Sequence, residues 1–187
     1  MEIQLKWEGP YALVGSESKK SIFEINSVDS CGIYLWTTKY STKYLVNYVG
    51  MTSKSFKQRL IEHIEYYYTG KYTVYDTKHF TNAELVARYI PKGNILDFAS
   101  KYREVSTLID DYLKTLNIFI APLKMEKIYL KKIESAIILQ LKSYNDITKR
   151  FLDNKKVSHY ITTEEQELII KIQNPEIIFG LNSTLNT

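Results

Sequence analysis

The strongest constraint on the fold is a pair of β-rich runs that are separated by a short polar stretch. The runs are Gly32–Thr37 and Tyr44–Gly50, with the six residues TKYSTK between them. Two such runs with a short polar connection are typical of an antiparallel hairpin. Thr52 or Ser53 then offers a helix N-cap, and apolar residues recur at helical spacing up to about Tyr68. The pattern therefore predicts a hairpin that leads directly into a helix.

The rest of the chain predicts strands and helices in mixed order. Strands are predicted at 20–26, 118–121 and 167–172, a short turn-and-strand element at 69–76, and helices at 81–90, 95–116 and 125–141. This order favours an α/β fold of the α+β type, in which helices flank a small, mainly antiparallel sheet. At 187 residues, the chain has the length of a single domain that spans 1–187.

Composition excludes several classes of protein. Hydrophobic residues make up 44% of the chain and charged residues 25%, which is typical of a globular domain and not of a disordered one. The longest apolar run, 136–139, is too short for a membrane span, and the acidic N-terminus lacks the apolar segment of a signal peptide. Cys31 is the single cysteine, so an intramolecular disulfide is impossible. We therefore expect a cytoplasmic protein with no membrane partner.

Positive charge is concentrated in two blocks. Residues 31–61 carry five basic side chains and no acidic one, and residues 124–156 carry nine basic and four acidic side chains. Two such blocks suit a protein that contacts a phosphate backbone, although charge runs are more often simply solvated faces. The lysines of the first block are the candidate DNA-binding residues: Lys39, Lys43, Lys54 and Lys57.

Four residues near the hairpin are candidates for chemistry. Tyr34 and Tyr48 each lie two residues from a glycine, in strands that are predicted to pair. Arg59 and His63 are four residues apart on the following helix and therefore share one of its faces. For His63, a structural role is as plausible as a functional one.

Glu134 is the fifth candidate, because it lies at the edge of an apolar helix stripe. Its neighbours at i−4 and i+4 are Leu130 and Ile138. An unpaired carboxylate beside buried surface is costly, so Glu134 needs a cation or strong donors. The cation could belong to a nearby lysine or arginine, which periodicity alone favours, or it could be a divalent metal ion.

Taken together, these residues resemble a known family. Gly32-Ile33-Tyr34, the hairpin and Tyr48-Val49-Gly50 resemble the paired signature of the GIY-YIG nuclease superfamily, and Arg59 and Glu134 follow in the order that the superfamily uses. His63 matches a histidine that some members carry, including restriction enzymes. Asn145 is the best match for the asparagine that follows the glutamate helix in the family, and Asn154 is the alternative.

The resemblance covers residues from about 30 to 146 and implies a three-stranded central sheet, with 118–121 as its third strand. Arg59 and Glu134 are 75 residues apart, which is longer than in compact members. We therefore expect an insertion within 66–123 and a C-terminal extension over 147–187.

The resemblance also implies an activity, which is metal-dependent hydrolysis of DNA phosphodiester bonds by an endonuclease. It implies one Mg²⁺ or Mn²⁺ ion per active site, held by Glu134, and an arginine, Arg59, on the scissile phosphate. Tyr34 would activate or orient the attacking water, and the basic block around it would lower its pKa. Tyr48 would orient water or phosphate, His63 would support proton transfer or the phosphate, and Asn145 would fix the cleft.

Three functions remain open on the sequence. A restriction or mobile-element nuclease would recognise its target through the insertion and the extension, as a monomer or as a homodimer. A repair or structure-selective nuclease would perform the same reaction on other DNA. A non-catalytic nucleic-acid-binding protein with the same fold is the third alternative, but it has no need of the metal carboxylate.

Overall fold

The structure is a computed structural model that describes residues 1–15, 18–154 and 167–187. In the described residues, the strands are β1 (Glu2–Lys6), β2 (Glu8–Ala12), β3 (Gly32–Tyr40), β4 (Lys43–Thr52), β5 (Val74–Tyr75), β6 (Ala87–Tyr89), β7 (Asn117–Pro122), β8 (Ile169–Gln173) and β9 (Thr184–Asn186). The α-helices are α1 (Phe56–Tyr68), α2 (Ile95–Thr115), α3 (Lys127–Tyr144) and α4 (Asp146–Phe151). Short 3₁₀ helices span Ile22–Glu24, Asn26–Asp29, Thr77–Asn82 and Pro175–Ile177.

The central sheet is fully antiparallel, in the order β2-β7-β3-β4. The predicted hairpin and third strand are present as β3, β4 and β7, but the sheet has four strands where three were expected. The additional strand, β2, contains Pro10 and lies at the edge of the sheet. Proline is tolerated at an edge because no neighbour needs its missing N–H, and a short strand of this composition gives little signal in the sequence.

Two smaller sheets complete a mixed α/β fold with mainly antiparallel pairing. One has the order β1-β8-β9, in which β1 pairs with β8 in parallel and β8 pairs with β9 antiparallel. The other is the antiparallel pair β5-β6, which lies between α1 and α2 in the chain. None of the helices in the described residues combines the length and the apolar character that a membrane span requires.

Two hydrophobic clusters cover the two faces of the central sheet, and β3 contributes to both. Side chains alternate along a strand, so Ile33 and Leu35 belong to one cluster and Tyr34 and Trp36 to the other. The cluster that includes Tyr34 contains buried side chains of α1 and α2, whereas α3 packs against the opposite face. Tyr34 therefore points to the side of the sheet on which Arg59 and His63 are carried by α1.

Two predicted elements are wrong. Residues 20–26 form 3₁₀ turns and not a strand, because Ser21 accepts a hydrogen bond from the N–H of Phe23 while Glu24 reaches back to the N–H of Ser21. Residues 81–90 do not form a continuous helix, because Ala83 adopts a left-handed conformation that ends the 3₁₀ helix Thr77–Asn82, and β6 follows.

The other boundaries differ by a few residues. Ser55, and not Thr52 or Ser53, caps α1, and its hydroxyl accepts a hydrogen bond from the N–H of Gln58 at 3.1 Å. The strand predicted at 167–172 is present as β8. Of the predicted C-terminal extension, residues 155–166 lie outside the described residues, and so do the last two lysines of the second basic block.

Candidate active site

Close packing requires a glycine at two positions of the hairpin, Gly32 and Gly50. Tyr34 pairs directly with Gly50 in the ladder between β3 and β4, so a side chain at position 50 would point at the tyrosine ring. A Cβ added to Gly50 would lie 2.3 Å from the Tyr34 hydroxyl. Gly32 has a positive φ, and a Cβ there would lie 2.2 Å from the carbonyl oxygen of Ala121. Both glycines of the motif therefore have a steric reason to be present.

The hydroxyl of Tyr34 is hydrogen-bonded to His63. The Tyr34 oxygen and His63 Nε2 are 2.7 Å apart, and both side chains are buried. Burial first, and the positive charge of Arg59 second, lower the pKa of His63 to about 3, so its imidazole is neutral. When Nε2 accepts the Tyr34 O–H, the ring proton of His63 is on Nδ1. His63 is thus a buried hydrogen-bonding partner of the candidate catalytic tyrosine.

Arg59 of the basic block does lower the pKa of Tyr34, as expected, but the net shift of this pKa is upward. Burial and the neighbouring Tyr48 raise the pKa of Tyr34 well above its usual value, although Arg59 acts in the opposite direction. The hydroxyl is out of contact with solvent, so desolvation of the phenolate outweighs the nearby positive charge. Tyr48 also has a raised pKa, mainly through burial and then through the charge of Glu134, but part of its side chain is exposed.

Arg59 lies beside these phenols and has an acidic partner that the sequence analysis missed. Its Nη1 donates to Glu62 Oε2 at 2.9 Å, and its guanidinium also interacts with the Tyr34 hydroxyl. Glu62 is three residues further along α1, a spacing that brings side chains together on a helix and that could have identified the pair. The half-buried guanidinium is therefore held in place between a carboxylate and a phenol.

Glu134 approaches the same place from α3, on the other face of the sheet. Its carboxylate interacts with the backbone N–H of Met51 in β4, next to Gly50. Burial raises the pKa of Glu134 to about 7, and the opposing effects of Met51, Arg59 and Lys131 do not cancel it. Glu134 in turn contributes to the raised pKa values of both candidate tyrosines.

The structure thus brings together five of the six candidate catalytic residues, from β3, β4, α1 and α3. Beside them is a cleft of about 160 Å³, which is lined by Met51, Glu62 and three cations. We call these cations the basic rim; they are Lys54, Arg59 and Lys127. Lys127 belongs to the second basic block, so the two blocks do meet at this cleft.

The four candidate DNA-binding lysines are all exposed, but they do not lie together. Lys54 and Lys57 flank the start of α1, close to the cleft. Lys39 and Lys43 lie at the turn of the hairpin. Lys39 is five residues from Tyr34 along β3, which corresponds to about 17 Å.

The two candidate asparagines have different surroundings. Asn145 is the N-cap of α4, where its side chain accepts a hydrogen bond from the N–H of Thr148 at 2.9 Å. Asn154 is buried and binds the backbone of Val49, between Tyr48 and Gly50: it accepts from the N–H at 2.8 Å and donates to the carbonyl at 2.9 Å. Asn154 therefore holds the strand that carries Tyr48, whereas Asn145 stabilises the start of a helix.

At this site the described residues place two carboxylates, Glu134 and Glu62, and Glu62 is paired with Arg59. Within 1–15, 18–154 and 167–187, no group of three or more His, Cys, Asp or Glu side chains is placed to hold a metal ion. Mg²⁺ is commonly bound by one or two carboxylates, with water and substrate phosphate completing its shell. The half-buried carboxylate of Glu134, next to a basic rim that suits a phosphate, fits that kind of site.

Comparison with known proteins finds no family model, no curated protein and no solved structure that matches the chain. The resemblance to the GIY-YIG superfamily therefore depends on the motif residues and on their arrangement in space.

Proposed function

We propose that this protein is a metal-dependent DNA endonuclease of the GIY-YIG type. The observation that carries the proposal is the convergence of Tyr34, Tyr48, Arg59, His63 and Glu134 in one interacting cluster, next to a cleft that Arg59 lines. These side chains come from positions up to 100 residues apart. A partly buried carboxylate with a raised pKa that interacts with a guanidinium and two phenols is typical of a functional site, since burying charge is costly.

Arg59 binds the scissile phosphate in this proposal. A guanidinium donates two parallel hydrogen bonds to a phosphate, which a lysine cannot do. Its contacts with Tyr34 and Glu62 orient it before DNA arrives. Lys54 and Lys127 flank it on the basic rim and contact neighbouring phosphates, while Lys39 and Lys43 reach DNA further along.

The phenols and His63 move the proton of the attacking water. Tyr48 is the partly exposed phenol and contacts the water, whereas Tyr34 links Tyr48 to His63 through its buried hydroxyl. Burial first, and the charge of Arg59 second, lower the pKa of His63. A bound phosphate neutralises that charge, so His63 becomes a better proton acceptor when substrate is present.

Glu134 would hold the Mg²⁺ or Mn²⁺ ion. When bound, the ion supplies Lewis-acid stabilisation of the charge that develops on the phosphate and on the departing 3′ oxygen. Because burial raises the pKa of Glu134 to about 7, its carboxylate is only partly ionised near neutral pH without a cation. We therefore expect metal binding to release a proton and to strengthen between pH 6 and pH 8.

The direct test is nicking of supercoiled plasmid in Mg²⁺ or Mn²⁺. The wild type is expected to nick the plasmid, and both Glu134→Gln and Tyr34→Phe are expected to lose at least about 100-fold in rate, as removal of a main electrostatic or acid-base group does. Glu104→Gln, which changes an exposed glutamate of α2, is the matched control and should cleave like the wild type.

Two results would contradict the proposal. Cleavage by Glu134→Gln at the same rate as the wild type would contradict the assignment of Glu134 as the metal ligand. Salt-dependent binding of several DNA forms without any cleavage would favour the non-catalytic alternative. Where cleavage is seen, sequencing of the product ends distinguishes a restriction-type nuclease, which cuts at a fixed sequence, from a structure-selective one.

A further inference from the structure

A second cavity, of about 280 Å³, adjoins the candidate active site. We call it the aromatic pocket, because five aromatic side chains line it; they are Trp36, Tyr48, His63, Tyr67 and Tyr72. Trp36 and Tyr67 are buried and stack on each other with centroids 5.9 Å apart. Tyr48 and Tyr72 are only partly buried, so a ligand can reach the rings of these two side chains.

The pocket and the catalytic cluster share residues. Tyr48 and His63 line the pocket and also interact with Tyr34. Tyr72 lies on the pocket wall and interacts with the guanidinium of Arg59. When Arg59 binds the phosphate of a nucleotide, the base of that nucleotide or a neighbouring base is therefore close enough to reach the open side of the pocket.

The chemistry of the pocket suits a nucleobase. Aromatic rings stack on the π-face of any base. Polar groups on the wall include the hydroxyl of Thr73 and the carboxylate of Asp153. Asp153 accepts a hydrogen bond from the Tyr75 hydroxyl at 2.5 Å. Lys71 supplies an exposed positive charge at the pocket.

We propose that the aromatic pocket receives an unpaired nucleobase of the DNA strand that is cut. This inference rests on the proposed nuclease function and adds a substrate preference to it. A base inside a duplex is stacked on both faces and must leave the stack to enter a pocket, whereas a bulged or single-stranded base is already available. The protein should therefore prefer DNA that has an unpaired base beside the scissile phosphate.

The test compares three short DNA duplexes that differ at one position. The first is fully paired, the second has a single bulged thymidine, and the third has a bulged abasic nucleotide at the same place. Binding is measured by fluorescence anisotropy with the full chain in EDTA, so that no cleavage occurs. The abasic bulge has the flexibility of the bulged duplex but lacks the base, so it separates recognition of a base from recognition of bent DNA.

We expect the wild type to bind the bulged thymidine at least about fivefold more tightly than the abasic bulge, which is the smallest effect that one stacked base gives. Tyr72→Ala should bring this ratio close to one, whereas Tyr72→Phe keeps the ring and should preserve it. Tyr102→Ala, which removes an exposed tyrosine of α2 outside the pocket, is the matched control and should also preserve it.

A wild-type ratio near one would overturn the inference without the need for any variant. A ratio that survives Tyr72→Ala, in protein that still binds the paired duplex, would also overturn it. The two proposals fail in different ways. Glu134-dependent cleavage of paired DNA with no preference for an unpaired base would contradict the pocket assignment alone, and absence of binding to all three duplexes would contradict both.

Discussion

Replacement of Glu134 by glutamine should make the protein more stable at alkaline pH. Burial raises the pKa of the Glu134 carboxyl from 4.5 to about 7, so the folded protein holds this proton more tightly than the unfolded chain does. Below pH 4.5 the group is protonated in both states and costs nothing. As the pH rises to about 7, the unfolded chain ionises first, and the free energy of unfolding falls.

The size of the effect follows from the two pKa values. The interval from 4.5 to about 7, at 1.36 kcal/mol for each pH unit, corresponds to about 3 kcal/mol. Glu134 is partly exposed to solvent, which screens its charge, so we expect about 2 kcal/mol above pH 7.5. Glutamine resembles the neutral carboxylic acid and removes this cost.

Thermal unfolding in EDTA measures the difference without interference from metal ions. For a chain of this length, about 2 kcal/mol corresponds to an increase of about 4–8 °C in Tm. We expect that increase for Glu134→Gln over the wild type at pH 8, and nearly equal Tm values at pH 4.5. Because both proteins are compared at each pH, the titration of all other groups cancels.

Glu104→Gln, at an exposed position of α2, controls for the loss of one negative charge and should leave Tm within about 1 °C at both pH values. A Glu134→Gln variant that is no more stable than the wild type at pH 8 would refute the reasoning. A gain that is larger at pH 4.5 than at pH 8 would refute it as well, because the sign would be reversed.

Four further results are expected. Gly50→Ala should lower the free energy of unfolding by about 1–3 kcal/mol in denaturant titration, because the new Cβ would overlap the Tyr34 ring. Asn154→Ala should lower it by about 2–3 kcal/mol, because a buried strand N–H and carbonyl lose their partner, and it should also reduce plasmid cleavage. Glu62→Gln should increase DNA affinity by about two- to fivefold, as expected for loss of a partly exposed ion pair that competes with phosphate. The logarithm of the DNA association constant should fall with the logarithm of salt concentration with a slope of about −4.5, if Lys39, Lys43 and the three cations of the basic rim each neutralise one phosphate.

Matched variants test these results. Gly15→Ala places a Cβ where there is nothing within 4 Å and should change stability by less than about 0.5 kcal/mol. Asn145→Ala removes a helix cap and should cost about 1 kcal/mol without a specific loss of cleavage. Greater loss of cleavage for Asn145→Ala than for Asn154→Ala would contradict the roles that the hydrogen bonds indicate. A DNA association constant that does not change with salt concentration would show that the basic rim does not contribute to DNA binding.

The hairpin and the helices around the site could be predicted from the sequence, because their signals are local. The strands β3, β4 and β7 coincide with β-rich runs of the sequence, and the long helix α2 coincides with an apolar repeat at helical spacing. β1 could not be predicted in the same way. Its partner β8 is more than 160 residues away, and pairing over such a distance leaves no local pattern.

The identities of the candidate catalytic residues were available from motifs, but their electrostatics were not. The motif predicts Tyr34 but not that its hydroxyl is buried against His63, and burial is what reverses the expected direction of its pKa. Likewise, Asn154 contacts Val49 across 105 residues of chain, so that its role depends on the folded structure. Sequence spacing alone favours Asn145 as the match for the asparagine of the family.

In the proposed mechanism, the carboxylate of Glu134 holds a divalent ion beside the scissile phosphate. Anomalous diffraction from crystals grown with Mn²⁺ and a short, non-cleavable DNA duplex tests it most directly. We predict one strong peak at coordination distance, about 2.2 Å, from an oxygen of Glu134, with a DNA phosphate bound between the ion and Arg59. A peak at another site, or DNA bound at this cleft with Mn²⁺ absent from Glu134, would contradict the account.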